Sequence, residues 1–173
     1  MTRPPPRAET IERLGEAVYP SFAMLAGMQL DVFTPLKDGP LSAAQLAAAI
    51  GVDSARLRPL LYALVTTGLL EVEEGLFSNA PEADHFLVRD RESYIGERHY
   101  LWSDLWNAVL KTAETIRTGT PQAKHDFSAM SREELESFLR GLHPRAVAAG
   151  REFTQSCDLS SCVAFLDVGG GSG

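Results

Sequence analysis

The residues best suited to chemistry by type and spacing are Asp167, Gly169, Gly171 and Gly173, in the pattern Asp-x-Gly-x-Gly-x-Gly with Gly170 inside it. They follow Val163-Ala164-Phe165-Leu166, a short run of apolar residues that reads as a buried strand reaching Val168. Glycine takes φ > 0 at little steric cost and lets a ligand touch the backbone. A strand, an acidic residue and a glycine turn therefore suit a nucleotide-like cofactor. The spacing is not the Gly-x-Gly-x-x-Gly of a dinucleotide fingerprint, whose third glycine would fall past Gly173. A flexible glycine-rich tail is the plain alternative.

Other chemistry-bearing side chains are scattered. His85, His99, His125 and His143 form no metal-ligand spacing with one another or with the cysteines, so no metal site is expected. Cys157 and Cys162 are too few for a disulfide framework and lack Cys-x-x-Cys spacing. Trp102 and Trp106 stand one helical turn apart. Such a pair is either core packing or one wall of an aromatic-lined pocket.

The 173 residues are 45% hydrophobic and 23% charged, an ordinary globular composition with room for one domain and part of another. A net charge of −7 argues against broad binding to nucleic acid, whose phosphates select Lys/Arg-rich surfaces. No signal-like start or long apolar run is present, which makes the cytoplasm the default and a membrane partner unexpected.

The elements that must position these groups are mostly helical. Residues 1–8, with Pro4-Pro5-Pro6, read as a disordered lead-in. From Glu9 to about Leu36 apolar residues recur at near-helical spacing, and Pro20 predicts two helices or a kink. The piece from Ser21 to Phe33 is apolar on nearly every side, which fits either an intrachain core or a subunit interface. Ser42-Ala43-Ala44-Gln45 is a capping box opening a helix that Gly51 closes. Asp53 caps a second helix, containing Pro59 and closed by Gly68. Leu69 to Val72 and Leu76 to Ser78 flank the turn Glu73-Glu74-Gly75 as a hairpin. Helix, turn, helix and hairpin make the layout of a winged helix, yet its wing is acidic and only Arg56 and Arg58 charge its second helix after the cap. DNA binding is therefore disfavoured.

Pro81 starts a short helix reaching Phe86 and Val88. A long amphipathic helix is expected from Ser93–Glu97 to Ile116, stopping at Gly119. Ser131-Arg132-Glu133-Glu134 is a second capping box. Pro144 is expected to start a further helix through Phe153 to about Ser156, and 158–161 links it to the terminal strand.

In this order the parts resemble the plant-type and bacterial small-molecule O-methyltransferases, within the class I S-adenosylmethionine-dependent methyltransferases. The resemblance covers nearly the whole chain and rests on Leu166-Asp167-Val168-Gly169-Gly170-Gly171-Ser172-Gly173 and on Leu41-Ser42-Ala43-Ala44-Gln45-Leu46-Ala47. It implies a mainly α fold. Residues 9–92 form a helical winged-helix dimerisation domain that does not read DNA, and 93–157 are connecting helices at the dimer and acceptor pocket. Residues 158–173 begin a truncated Rossmann-like cofactor domain with its first strand.

The resemblance also implies S-adenosylmethionine as cofactor, held at Asp167, Gly169, Gly170, Gly171 and Gly173. It implies a small, aromatic hydroxyl acceptor beside Trp102, Trp106 and Phe153, and a homodimer through the N-terminal helices. The general base would lie beyond Gly173, so no catalytic residue is assigned and the fragment alone is expected to be inactive. The four histidines do not match the base position and read as surface or partly satisfied groups. A winged-helix regulator, or methyl transfer to carbon or nitrogen on the same scaffold, are the competing readings.

Overall fold

A computed structural model describes residues 7–122 and 126–170. The described chain divides into two compact units, the first ending at Ser93 and the second beginning at Tyr94.

The first unit opens with α1 (Glu9–Glu16) and α2 (Val18–Gln29). The break falls at Ala17, just ahead of Pro20, which sits in the first turn of α2 where its missing N–H costs no helical bond. A 3-10 turn (Thr34–Asp38) leads to β1 (Leu41–Ser42), α3 (Ala43–Ile50) and α4 (Ser54–Thr66). Both expected caps are present. Ser42 and Gln45 satisfy each other's backbone N–H groups at the start of α3, and Asp53 accepts the Arg56 N–H at 3.0 Å. Pro59 lies inside α4, so the Ala55 carbonyl lacks its usual helical donor.

The wing is β2 (Leu70–Glu73) and β3 (Leu76–Asn79), with β1 on the other side of β3 in an antiparallel sheet of order β1-β3-β2. Val72 pairs with Phe77 and Leu41 with Phe77. The two-residue turn is Glu74 at φ +50 and Gly75 at φ +81, the left-handed pair that matches strand twist. Then comes α5 (Pro81–Phe86).

The core of this unit is the inner face of α2, α3 and α4 against the sheet: Leu25, Met28, Phe33, Leu46, Leu61, Leu64, Leu70 and Phe77 are buried. Gly27 lets α2 approach α4, since a Cβ there would stand 3.1 Å from the Leu64 side chain. By contrast Phe22 and Leu30 of the Ser21–Phe33 piece are exposed, as are Ile11, Leu14 and Tyr19 ahead of it. The piece that looked apolar all round is thus one-sided: part core, part uncovered.

The second unit holds α6 (Arg98–Val109), α7 (Thr112–Thr118) and α8 (Arg132–Ser156). Three sequence expectations are corrected here. The long helix to Ile116 is two, because the chain breaks at Leu110-Lys111 after α6. Pro144 does not start a helix; it lies inside α8, which runs through it at the loss of one donor to the Arg140 carbonyl. Finally, the Val163–Val168 segment is not a strand. It carries no regular secondary structure, and Val163, Phe165, Leu166 and Val168 are exposed. A strand forms only with a neighbour to take its backbone bonds, and among the described residues none lies alongside. The second capping box is present, with the Ser131 N–H donating to Glu134 Oε2 at 2.8 Å and the Glu134 N–H to Ser131 Oγ at 3.2 Å.

Candidate functional site

The glycine segment is delivered by the end of α8. The Cys157 N–H closes the helix on the Phe153 carbonyl at 2.9 Å. Asp158 Oδ1 then accepts the Ser160 N–H at 2.9 Å, and this bond together with the Ser160 hydroxyl holds the Asp158 carboxyl below the usual aspartate range. The chain runs on without ladder partners to Asp167. There the backbone turns: Gly169 has φ +81, a conformation that a side chain resists. The Asp167 carboxylate folds back over Gly170, so a Cβ at 170 would collide with it. Gly171 and Gly173 lie outside the described residues. What is present at 167–170 is an exposed acidic side chain folded back on a turn with two successive glycines.

Trp102 and Trp106 are half-buried on α6, their rings parallel within 5° and 6.4 Å apart. The Arg98 guanidinium lies 5.0 Å from the Trp102 ring centre and extends this stack toward the N-terminus of α6. Its Nε is buried with no hydrogen-bond partner among the described residues. Phe153 sits near the far end of α8 and is 44% exposed. The structure therefore brings the two tryptophans together, with Phe153 on a different helix.

Two open clefts flank the α6–α8 crossing. One, of about 640 Å³, is lined by Glu97, Arg132, Leu135, Glu136, Arg140 and His143. In it Arg140 donates to Glu136 at 2.6 Å, and that carboxylate, with Glu97 beyond it, raises the guanidinium's pKa. The other, of about 690 Å³, carries Tyr100, Asp104, Met130, Glu133, Glu134 and Phe138. The sequence reading missed these clefts. The signal was the recurrence of Arg132, Glu136, Arg140 and His143 on one face of a helix, to which the sequence reading gave no role.

His85 and His143 are exposed, and His99 is buried with its ring against Tyr100. His125 lies outside the described residues. Among the described residues no group of three or more His, Cys, Asp or Glu could hold a metal, and no helix is long and apolar enough to cross a membrane.

Residues 13–89, from α1 to the segment after α5, match the family model of the O-methyltransferase dimerisation domain. The first unit of the chain is therefore similar to the dimerisation domain of O-methyltransferases. Similarity extends beyond that domain. The chain is 31% identical to the tetracenomycin polyketide synthesis 8-O-methyl transferase TcmO of Streptomyces glaucescens, over 94% of this chain and 50% of that protein. It is 34% identical to the 8-amino-8-demethylriboflavin N,N-dimethyltransferase of Streptomyces davaonensis, over 88% of this chain and 47% of that one. Human N-acetylserotonin methyltransferase, solved in complex with S-adenosylmethionine, shares the fold with a TM-score of 0.74 at 22% identity, covering 92% of this chain and 52% of its own. The chain spans about half the length of the curated relatives it matches.

Proposed function

We propose that this chain is the dimerisation and cofactor-entry part of an S-adenosylmethionine-dependent O-methyltransferase acting on a hydroxyl of a small aromatic molecule. The observation that carries the proposal is the turn at 167–170, where Gly169 is left-handed and the Asp167 carboxylate folds back over Gly170, in a chain whose first unit matches the O-methyltransferase dimerisation domain. When bound, S-adenosylmethionine supplies an electrophilic methyl on a positively charged sulfur. Asp167 offers an anionic acceptor for the cofactor's ammonium. Gly169 and Gly170, with Gly171 and Gly173 continuing the pattern, let the backbone pass under its methionine and ribose. The parallel rings of Trp102 and Trp106 offer a flat apolar face to an aromatic acceptor, and Phe153 adds a second aromatic surface. Positioning is the main task, because in-line methyl displacement gains most from aligning donor and acceptor. Neither His85, His99 nor His143 is assigned the proton-removing role.

In this reading the exposed Ile11, Leu14, Tyr19 and Phe22 cover one another in a homodimer, as the dimerisation-domain match supports. A second reading, methyl transfer to an amine, is favoured by the similarity to an N,N-dimethyltransferase.

Calorimetric titration of the full-length protein with S-adenosylmethionine tests the cofactor site. Gly169→Val is expected to abolish binding while the helical signal by circular dichroism stays. Unchanged affinity in that variant sinks the assignment of the turn. Offering phenols and arylamines to the wild type then separates the two acceptor readings.

A further inference from the structure

Arg98, Trp102 and Trp106 follow one another at one-turn intervals on α6, about 5.4 Å apart along its axis. The guanidinium lies 5.0 Å from the Trp102 ring centre, and the two indole rings are parallel within 5°. Stacking occupies the flat faces of a guanidinium and leaves its in-plane N–H donors for an anion. Here those donors find none. Nε is buried with no hydrogen-bond partner, and Arg98 makes no ion pair among the described residues. The acidic residues closest to it along α6 belong elsewhere: Glu97 lines the cleft that holds Arg140, and Asp104 lines the other cleft. A desolvated cation without a counter-charge is costly, and a ligand that supplies the counter-charge removes the cost.

The face that carries this stack is open. Helical periodicity puts Leu105 and Val109 on the same side, and they are 45% and 63% exposed. The helix α8 meets α6 on the adjoining side, at Leu101.

We propose that Arg98 selects aromatic acceptors that carry a carboxylate. The rings of the acceptor lie against Trp102 and Trp106, and its carboxylate pairs with the guanidinium. This rests on the reading of the two tryptophans as the acceptor wall, and it narrows the acceptor to an aromatic hydroxy acid. A guanidinium–carboxylate pair beside apolar rings is charge-assisted and weakly screened, so it discriminates against a neutral analogue of the same shape.

The test compares 2-naphthoate with its neutral counterpart 2-naphthamide, by calorimetric titration of the full-length protein. Naphthoate is expected to bind roughly tenfold tighter or more, a preference that shrinks as sodium chloride is raised. Arg98→Gln is expected to remove the preference by weakening naphthoate alone, and Arg98→Lys, which keeps the charge, to retain part of it. Equal binding of the two probes to the wild type, or a preference indifferent to salt, overturns the proposal. So does an Arg98→Gln protein that weakens both probes equally, since that marks a structural role. Trp102→Leu separates this failure from that of the wall itself. It is expected to weaken both probes, and no change in either removes the wall and the proposal together.

Discussion

Gly141 of α8 lies directly against the backbone of Leu101 in α6: a Cβ at 141 would stand 2.6 Å from the Leu101 nitrogen. Here the two helices that organise the second unit meet backbone to backbone, and only the absence of a side chain permits it. Gly141→Ala forces the helices apart at a point where backbone, not a flexible side chain, must yield. It is expected to destabilise the fold by roughly 1–3 kcal/mol, despite alanine's better helix propensity. Denaturant unfolding of the variant checks this; a stabilised protein would mean the crossing is looser than described.

In the first unit Phe77 links sheet and helix. It is 2% exposed, pairs across to both β1 and β2, and meets the Tyr62 ring edge-on at 5.4 Å. Phe77→Ala removes a large buried ring that the short strands cannot collapse to fill, at a cost of roughly 3–5 kcal/mol. The expected result is loss of cooperative unfolding of the wing, read by the near-ultraviolet signal of Tyr62.

The wing turn makes a smaller, cleaner test. Gly75 holds φ +81, so Gly75→Ala is expected to cost about 1 kcal/mol with little change in structure. A neutral result would show the hairpin tolerating another turn type.

Acid should weaken the start of α8 specifically. The Glu134 carboxyl is held below its ordinary value of 4.5, first by the Ser131 N–H and then by the Ser131 hydroxyl. Because the folded value is depressed, the stabilisation is fully present above the unfolded value and is lost as pH falls through the folded one. Helicity at the α8 N-terminus is therefore expected to fall below about pH 4.5. Glu134→Gln, which has no carboxyl to protonate, should flatten that dependence, which amide exchange across 131–136 would register.

Association is expected to depend on the uncovered side of α1 and α2. Leu14 is 61% and Tyr19 72% exposed, so charging both leaves the core alone. In the full-length protein, Leu14→Glu with Tyr19→Glu is expected to convert a dimer to a monomer in sedimentation velocity. A variant that stays dimeric moves the interface elsewhere.

What could be read in the sequence was the chemistry of neighbours. Ser42 with Gln45, Ser131 with Glu134, Asp53 with Arg56, and Glu74-Gly75 each make their structure within a few residues, so side-chain type alone announces them. The break at Leu110-Lys111 has no such marker, and Pro144 is carried inside α8 because α8 gains more from packing on α6 than one lost bond costs. Of the site, the glycine turn was legible because φ > 0 leaves a compositional trace. The parallel stacking of Trp102 on Trp106 and the contact of Gly141 with Leu101 were not, since both depend on how helices are rotated and crossed.

The uncovered run at 163–168 has a practical consequence for anyone preparing these 173 residues by themselves. Val163, Phe165, Leu166 and Val168 are bare, branched or aromatic, with no proline to interrupt them, which is the make-up of a segment that recruits identical copies into cross-β stacks. Such a preparation should cloud as its concentration rises, and ending the polypeptide at Ser156 should cure it.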